Sequence, residues 1–342
     1  MRKKQATIDD VAARAGLSIK TVSRVLNGEP NVRPQTRERV LAAAKELDYH
    51  PNVSARRLAS KRSFVIGLLY DDHDPASDYV IDLQDGALNV CRSVGYHLLI
   101  QPCRTEAPDL VDDVIGLSRR STVDGLILTQ PLSDFDPLVR ALFESEIVFV
   151  RVSQRACDGP CHCISVDDVR AARRMTDHLI SLGHMRIGFV MGHPEHGSSH
   201  DRLTGFRSSL MEHGIPVESA PVEQGRYTFE SGRACGHRLL ALEPRPTAIF
   251  ASNDHMAMGV LTAAHERELA VPTEVSVCGF DDAPMARYTW PPLTTVRQPV
   301  KLVARVATEC LIKGLQGTGD PPRWHVLESE LVLRESTAPQ SH

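Results

Sequence analysis

Two residues, Gly16 and Ser18, constrain the start of this chain more than any others, because they leave room only for a three-residue turn. Upstream, Thr7 and Asp10 form a Thr-x-x-acid cap, and Ile8, Val11, Ala12 and Ala15 share one helical face. Gly16 stops that helix, since glycine takes up the left-handed terminating conformation without a Cβ clash. Ser18 is the N-cap of a second helix, in which Val22, Val25 and Leu26 point inward. Ile19, Lys20, Ser23, Arg24 and Asn27 are left on its outer face. Two helices, a tight turn and a polar outer face describe a helix-turn-helix, whose second helix is of the kind that enters a DNA major groove.

A third helix is expected over about 34–47, with Val40, Leu41, Ala44 and Leu47 closing the small core. Three helices in about 45 residues are marginal on size but self-contained. The segment that follows is Tyr49-His50-Pro51-Asn52-Val53-Ser54-Ala55-Arg56-Arg57-Leu58-Ala59-Ser60. Pro51 breaks the chain, Asn52 caps, and 53–59 allows about two helical turns. A helix that short is unstable alone, because nucleation costs more than two turns return. It is expected to order only against DNA and a symmetry mate.

The run Ile-Asp-Asp-Val-Ala-x-x-Ala-Gly-Leu-Ser-x-x-Thr-Val-Ser-Arg-Val-Leu-Asn-Gly, then Tyr-x-Pro-Asn-x-x-Ala-Arg-x-Leu, resembles the lactose-repressor (LacI/GalR) family of bacterial transcription regulators. The resemblance implies a homodimer on a near-palindromic, double-stranded operator, with recognition helices in successive major grooves. It also implies paired hinge helices in the central minor groove, with Leu58 as the wedge between base pairs. Ile19 and Lys20 fall where the family varies with operator sequence, and Arg24 on a base-contacting arginine. Arg33 departs from the family's small hydroxyl cap, which weakens the third helix's start. The DNA-contacting candidates are Thr7, Ser18, Ile19, Lys20, Thr21, Ser23, Arg24, Asn27, Asn31, Tyr49, Asn52, Ala55 and Leu58. Thr7, Ser18 and Asn52 are helix caps whatever else they touch.

Charge agrees with this division. Residues 1–62 carry 14 Lys/Arg against 6 Asp/Glu, whereas the remainder carries 25 against 37. A basic head on an acidic body puts nucleic-acid contact at the N-terminus and argues against nonspecific DNA binding elsewhere. No apolar run follows the starting Met-Arg-Lys-Lys-Gln, and no stretch reaches the ~20 apolar residues of a membrane span. The eight cysteines therefore read as reduced thiols of a cytoplasmic protein.

From Phe64 onward, short apolar strands alternate with amphipathic helices. Strands are expected at 65–69, 97–101, 125–129, 147–150, 186–191, 248–251 and 275–280. Helices are expected at 80–94, 110–119, 137–143, 169–182, 203–213 and 255–267. Such alternation builds parallel sheets covered by helices. The fold class is thus a three-helix DNA-binding domain with a hinge helix, then a two-lobed α/β body with parallel sheets. The domains are expected at 1–50, 51–62 (hinge) and 63–342. By the resemblance the body is like a periplasmic binding protein, with an N-lobe of about 63–163 and 296–326 and a C-lobe of about 164–295 and 327–342. The Pro-rich stretch 291–299 suits a crossover between lobes.

In open parallel sheets, ligands bind beyond the carboxyl ends of the strands. Strand-end candidates are Tyr70, Asp71, Asp72 and His73, then Thr129 and Gln130, and a polar loop after Met191 holding His193, His196, Ser198, Ser199, His200, Asp201 and Arg202. The resemblance adds Arg202 as an effector-binding arginine, Tyr227 as a stacking ring, and the strand ends Asn253-Asp254 and Asp281-Asp282. The effector set is Asp71, Tyr79, Gln130, Arg202, Tyr227, Asn253 and Asp281. A planar guanidinium, carboxylates and an amide around an aromatic ring suit a polyol. Asn253 and Asp254 equally suit a helix cap, and Asp282 a turn.

These features imply a regulator, most readily a repressor, whose operator affinity a sugar or glycoside controls. The alternatives are a corepressor-dependent regulator of purine or other metabolite genes, and a metal or thiol sensor through Cys157, Cys161, His162 and Cys163. No P-loop or Gly-x-Ser-x-Gly motif points to an enzyme. No cofactor and no metal centre is expected. The C-terminus has no leucine heptad, so a dimer and not a tetramer is expected.

Overall fold

The computed structural model describes residues 6–26, 32–49, 62–71, 78–157 and 159–340. The expected hinge helix at 53–59, with Asn52, Ala55 and Leu58, lies outside the described residues, as do Asn27, Asn31, Asp72 and His73. The chain forms two compact units, Met1–Phe64 and Val65–His342.

In the first unit, α1 spans Ile8–Ala15, α2 Ile19–Leu26 and α3 Pro34–Glu46. Thr7 and Asp10 make the reciprocal capping box, and Gly16 ends α1 in the left-handed region at φ 60°. The Thr21 amide donates to Ser18 Oγ at 3.2 Å, so Ser18 caps α2. Arg33 precedes α3 without a side-chain cap. Val11, Ala12, Ala15, Val22, Val25, Val40, Ala43 and Ala44 form the core. Leu41 is a correction to the expected set, at 51% exposed. The inward stripe of α3 runs Val40, Ala43, Ala44 and Leu47, and Leu41 lies about 100° off it.

The second unit has two lobes. Strands β1 (Val65–Asp71), β2 (His97–Cys103), β3 (Gly125–Leu128), β4 (Phe149–Val152), β5 (His162–Val166) and β11 (Trp324–Leu327) form one sheet in the order β11-β5-β4-β3-β1-β2. Every pairing in it is parallel. Helices α4 (Asp78–Ser93) and α11 (Val300–Gln316) pack together, and α11 lies on β3, β4 and β5. Helices α5 (Leu110–Arg119) and α6 (Asp136–Glu144) close the opposite face.

The other lobe is a parallel sheet in the order β7-β6-β8-β9, from β6 (Ile187–Met191), β7 (Val222–Gln224), β8 (Ala248–Ala251) and β9 (Ser276–Cys278). Helices α7 (Asp168–Ser181) and α8 (Gly197–Glu212) bury Met175, Leu179, Phe206 and Leu210 on one face. Helices α9 (Phe229–Leu240) and α10 (Asp254–Glu266) bury Leu239, Met256 and Val260 on the other. The last two cross so closely that a Cβ on Gly259 would lie 2.3 Å from the Phe229 carbonyl oxygen. Three connections join the lobes: β5 to α7, β10 (Thr295–Arg297) to α11, and β11 to β12 (Glu330–Val332), with β10 and β12 antiparallel. The first connection lies later than the expected boundary at 163/164, because β5 continues in the first sheet to Val166.

Two further expectations change. Residues 197–202 are not loop: α8 begins at Gly197, so Ser198 to Arg202 form its first turns. The cysteines are not all thiols. Cys157 and Cys163 are joined in a disulfide, their Cα atoms brought to 5.9 Å, within the span such a bond accepts. The turn between them passes through Gly159 at φ 94°. The other six stand outside any disulfide, and all but Cys310 are buried. Among the described residues no helix is long and apolar enough to cross a membrane.

Candidate functional site

On the helix-turn-helix unit, Ile19 and Lys20 are exposed at the start of α2, while Thr21, Ser23 and Arg24 are half-buried. Val22 and Val25 face the core between them, so the 3.6-residue period alone puts a mixed polar stripe on the outer face. Thr7 is spent on its cap. Tyr49 packs against the small core instead of standing out from it, and burial raises its phenol.

In the second unit, one cavity lies where the strands of both lobes end. Asp71, Tyr79, Gln130, Arg202, Tyr227, Asn253 and Asp281 all line it. Tyr70, Thr129, His193, His196, Ser198 and Asp254 line it too, whereas Ser199, His200, Asp201 and Asp282 do not.

Arg202 is the centre of the second-lobe wall. Its Nε donates to Asp168 Oδ1 at 2.7 Å and its Nη1 to the Ser252 carbonyl at 2.5 Å. The guanidinium lies 3.7 Å from the centre of the Phe280 ring, and Asp281 Oδ1 is 4.0 Å from Nη1. Nη2 has no hydrogen bond among the described residues. Burial works against the charge of Arg202, but Asp168, Tyr227 and Asp281 outweigh it and hold the guanidinium protonated. Burial raises Asp168, with Arg202 opposing. Asp281 is pushed up to about 6, chiefly by burial, against Arg202 and a 2.7 Å hydrogen bond from Gln298. Burial and then the field of Asp281 raise Asp254 well above the carboxylate range, although Thr295 and the Ala283 amide both donate to it.

The ring of Tyr227 is placed by Gly192, where a Cβ would fall 2.0 Å from it. Its hydroxyl is 3.1 Å from Ser198 Oγ. Asn253 lines the cavity with its amide already committed: Oδ1 accepts from the Met256 amide to cap α10, and Nδ2 donates to the Tyr227 carbonyl, each at 2.9 Å. The capping reading of Asn253 therefore holds, and its contribution to the cavity is to hold Tyr227. Asp282 turns away to Arg297 Nε at 2.7 Å and to Arg334. Those bonds outweigh burial and lower its carboxyl.

The first-lobe wall is lighter. The Tyr79 hydroxyl is 3.0 Å from Ser153 Oγ, and burial pushes it up to about 12. Gln130 donates to the Ser153 carbonyl and accepts from the Ser198 amide of the other lobe at 3.2 Å. Other bonds across the gap are His196 to Asp71 at 3.0 Å, Arg155 to Asp201 at 3.4 Å, Thr105 to Glu195 at 3.2 Å and His255 to Asp78 at 3.5 Å. Sequence reasoning missed Asp168, Ser153, His255 and Gln298. Asp168 follows a strand that alternation did not reveal, so no strand end pointed to it.

The four-residue thiol and histidine cluster does not assemble. Cys157 and Cys163 bond to each other, and burial raises the Cys161 thiol beside Arg151.

A helix-turn-helix unit and a two-lobed body with a buried polar cleft on one chain define a transcription regulator under effector control. Residues 7–52 match the family described as bacterial regulatory proteins, lacI family, and 176–337 match the periplasmic binding protein-like domain. The chain is 32% identical over 338 residues to the HTH-type transcriptional regulator DegA of Bacillus subtilis (strain 168), spanning 98% of this chain and 99% of that one. A solved CelR–cellobiose complex is similar at TM-score 0.75 and 30% identity, over 97% of this chain and 99% of that one. The lac repressor dimer bound to operator and an anti-inducer is similar at TM-score 0.79 and 28% identity, over 98% and 100%. The chain belongs to the lacI family of bacterial regulatory proteins; it is a DNA-binding, effector-controlled transcriptional regulator and not an enzyme.

Proposed function

We propose that the protein is a repressor that binds its operator as a homodimer and is released by a small neutral polyol, a sugar or glycoside, seated in the cleft. The observation that carries this reading is the charge balance around Arg202. Its guanidinium already sits between Asp168 and Asp281. Asp71, Asp78 and Asp254 add further carboxyls to the lining, against Arg226 as the other guanidinium. An anionic effector would meet a mostly acidic wall. A neutral polyol meets both acceptors and donors, which its hydroxyls satisfy either way. The solved complex of CelR with cellobiose supports the class, and the operator-bound lac repressor dimer supports the assembly.

Mechanism follows from differential affinity. An effector that touches both walls favours one lobe orientation, and operator affinity shifts by its preference between the two states. Ile19, Lys20 and Arg24 on α2 read bases, and Thr7 and Ser18 stand at helix starts where phosphate oxygens are held. The test is operator binding measured with neutral sugars, glycosides, sugar phosphates and purines. Release by a neutral sugar or glycoside is expected. Tightening by a purine would replace this reading with a corepressor, and no response to any compound would remove ligand control.

A further inference from the structure

Outside the cleft, three side chains from separate elements converge on one point of the first lobe. His162 opens β5, His325 lies on β11 and Cys310 on α11. The β11 ladder pairs His325 with Ile164, and Ile164 shares a sheet face with His162 because side chains alternate along a strand. Both imidazoles therefore stand on one face. Cys163, between His162 and Ile164, turns to the opposite core.

His325 Nε2 lies 3.4 Å from His162 Nδ1 and 3.7 Å from Cys310 Sγ. Ligand atoms of all three lie within 4.8 Å of one another. A tetrahedral ion with bonds of about 2.0–2.1 Å to nitrogen and about 2.3 Å to sulfur spaces its ligand atoms roughly 3.3–3.6 Å apart. The two separations from His325 are close to those edges and the third stays within 4.8 Å, and two imidazoles with a thiol form a borderline-soft set that selects zinc-type ions over magnesium or calcium.

We propose that His162, Cys310 and His325 form a site for one divalent transition-metal ion of the zinc type, with the fourth position left to water. Arg323 Nε donates to His325 Nε2 at 3.2 Å, so metal entry requires that guanidinium to swing away. It is 62% exposed, and solvent accepts it. The position matters for the body as a whole. β5 runs into the first connection between lobes, α11 leaves the second, and β11 runs into the third. An ion here ties together the first-lobe anchors of all three. The sequence showed no such site, because the ligands are spread over positions 162, 310 and 325 with no short metal-binding spacing.

The test is cobalt titration of the chelator-stripped full chain, followed by absorption, with zinc as competitor. One equivalent with a thiolate-to-cobalt band and tetrahedral ligand-field bands, displaced by zinc, is expected. Cys310→Ser should abolish the thiolate band. It and His325→Asn should each weaken binding by more than the about 10–100-fold that outer-shell changes cost. Should His325→Asn fail to fold, Arg323→Ala provides the second variant: with the competing donor gone, cobalt should bind at least as tightly. Absence of stoichiometric cobalt, a thiolate band that survives Cys310→Ser, or binding lost instead in His196→Ala of the cleft would each overturn the assignment.

Discussion

The two walls of the cleft are built on different terms. On the second lobe, Arg202, Asp254 and Asn253 are buried and bonded to partners of their own lobe. On the first lobe, Asp71 and Gln130 find partners across the gap, in His196 and the Ser198 amide. One wall is a preorganised receptor. The other is a jaw held by a few replaceable bonds, several of them half-exposed. A lobe reorientation therefore breaks a few cross-lobe contacts, the exposed ones such as Arg155–Asp201 inexpensive, and leaves the bonds within the second wall intact.

The largest test of this contrast is Arg202→Ala. It leaves Asp168 buried without its cation, so a loss of about 3–5 kcal/mol is expected in denaturant unfolding. A loss below about 1 kcal/mol would mean the second wall is no more preorganised than the first. Next in size is Gly192→Ala, whose methyl falls on the Tyr227 ring. Overpacking of this kind costs about 1–3 kcal/mol, and the displaced ring should weaken effector binding more than operator binding. Equal effects on both would detach Tyr227 from the effector.

Asp281 sharpens the contrast through pH. Burial raises it to about 6 from 3.8, so the stability tied to its protonated form is complete below about pH 4 and is lost as pH rises through about 6. Asp281→Asn removes that loss. Relative to the parent, the variant should gain stability between pH 4 and 7, by up to about 3 kcal/mol, read as thermal midpoints across pH. A constant difference across that range would refute the assignment. The smallest expected effect belongs to the jaw. Arg155→Ala removes a bridge whose arginine is 55% exposed, so it should cost less than about 1 kcal/mol in stability. It should nevertheless shift the effector concentration needed for operator release. No shift would place that bond outside the switch.

How far the sequence reached follows the range of the interactions. The capping box at Thr7, the stop at Gly16 and the cap at Ser18 are local chemistry, and they stand in the structure as read. Asp71 and Gln130 line the cavity where alternation and the carboxyl-end rule place them, and Asn253 and Asp281 line it where the family resemblance implied. What stayed hidden depends on contacts distant in sequence or on segments of weak propensity. Gly197 and two serines open α8, a start that propensity reads as loop. The Cys-Asp-Gly-Pro-Cys turn masked β5. With it went Asp168, the partner that fixes Arg202.

The central claim is that a small molecule seated against Arg202 sets operator affinity. Its most direct test is operator binding by the parent and by Arg202→Lys, each titrated with an effector found in the compound panel. The lysine keeps a cation beside Asp168 but lacks the planar fork. The parent should lose operator affinity by about 5–150-fold on saturation. Arg202→Lys should bind operator as tightly without effector, yet need at least about tenfold more of it for release. A variant that responds to the same effector concentration as the parent would contradict the account.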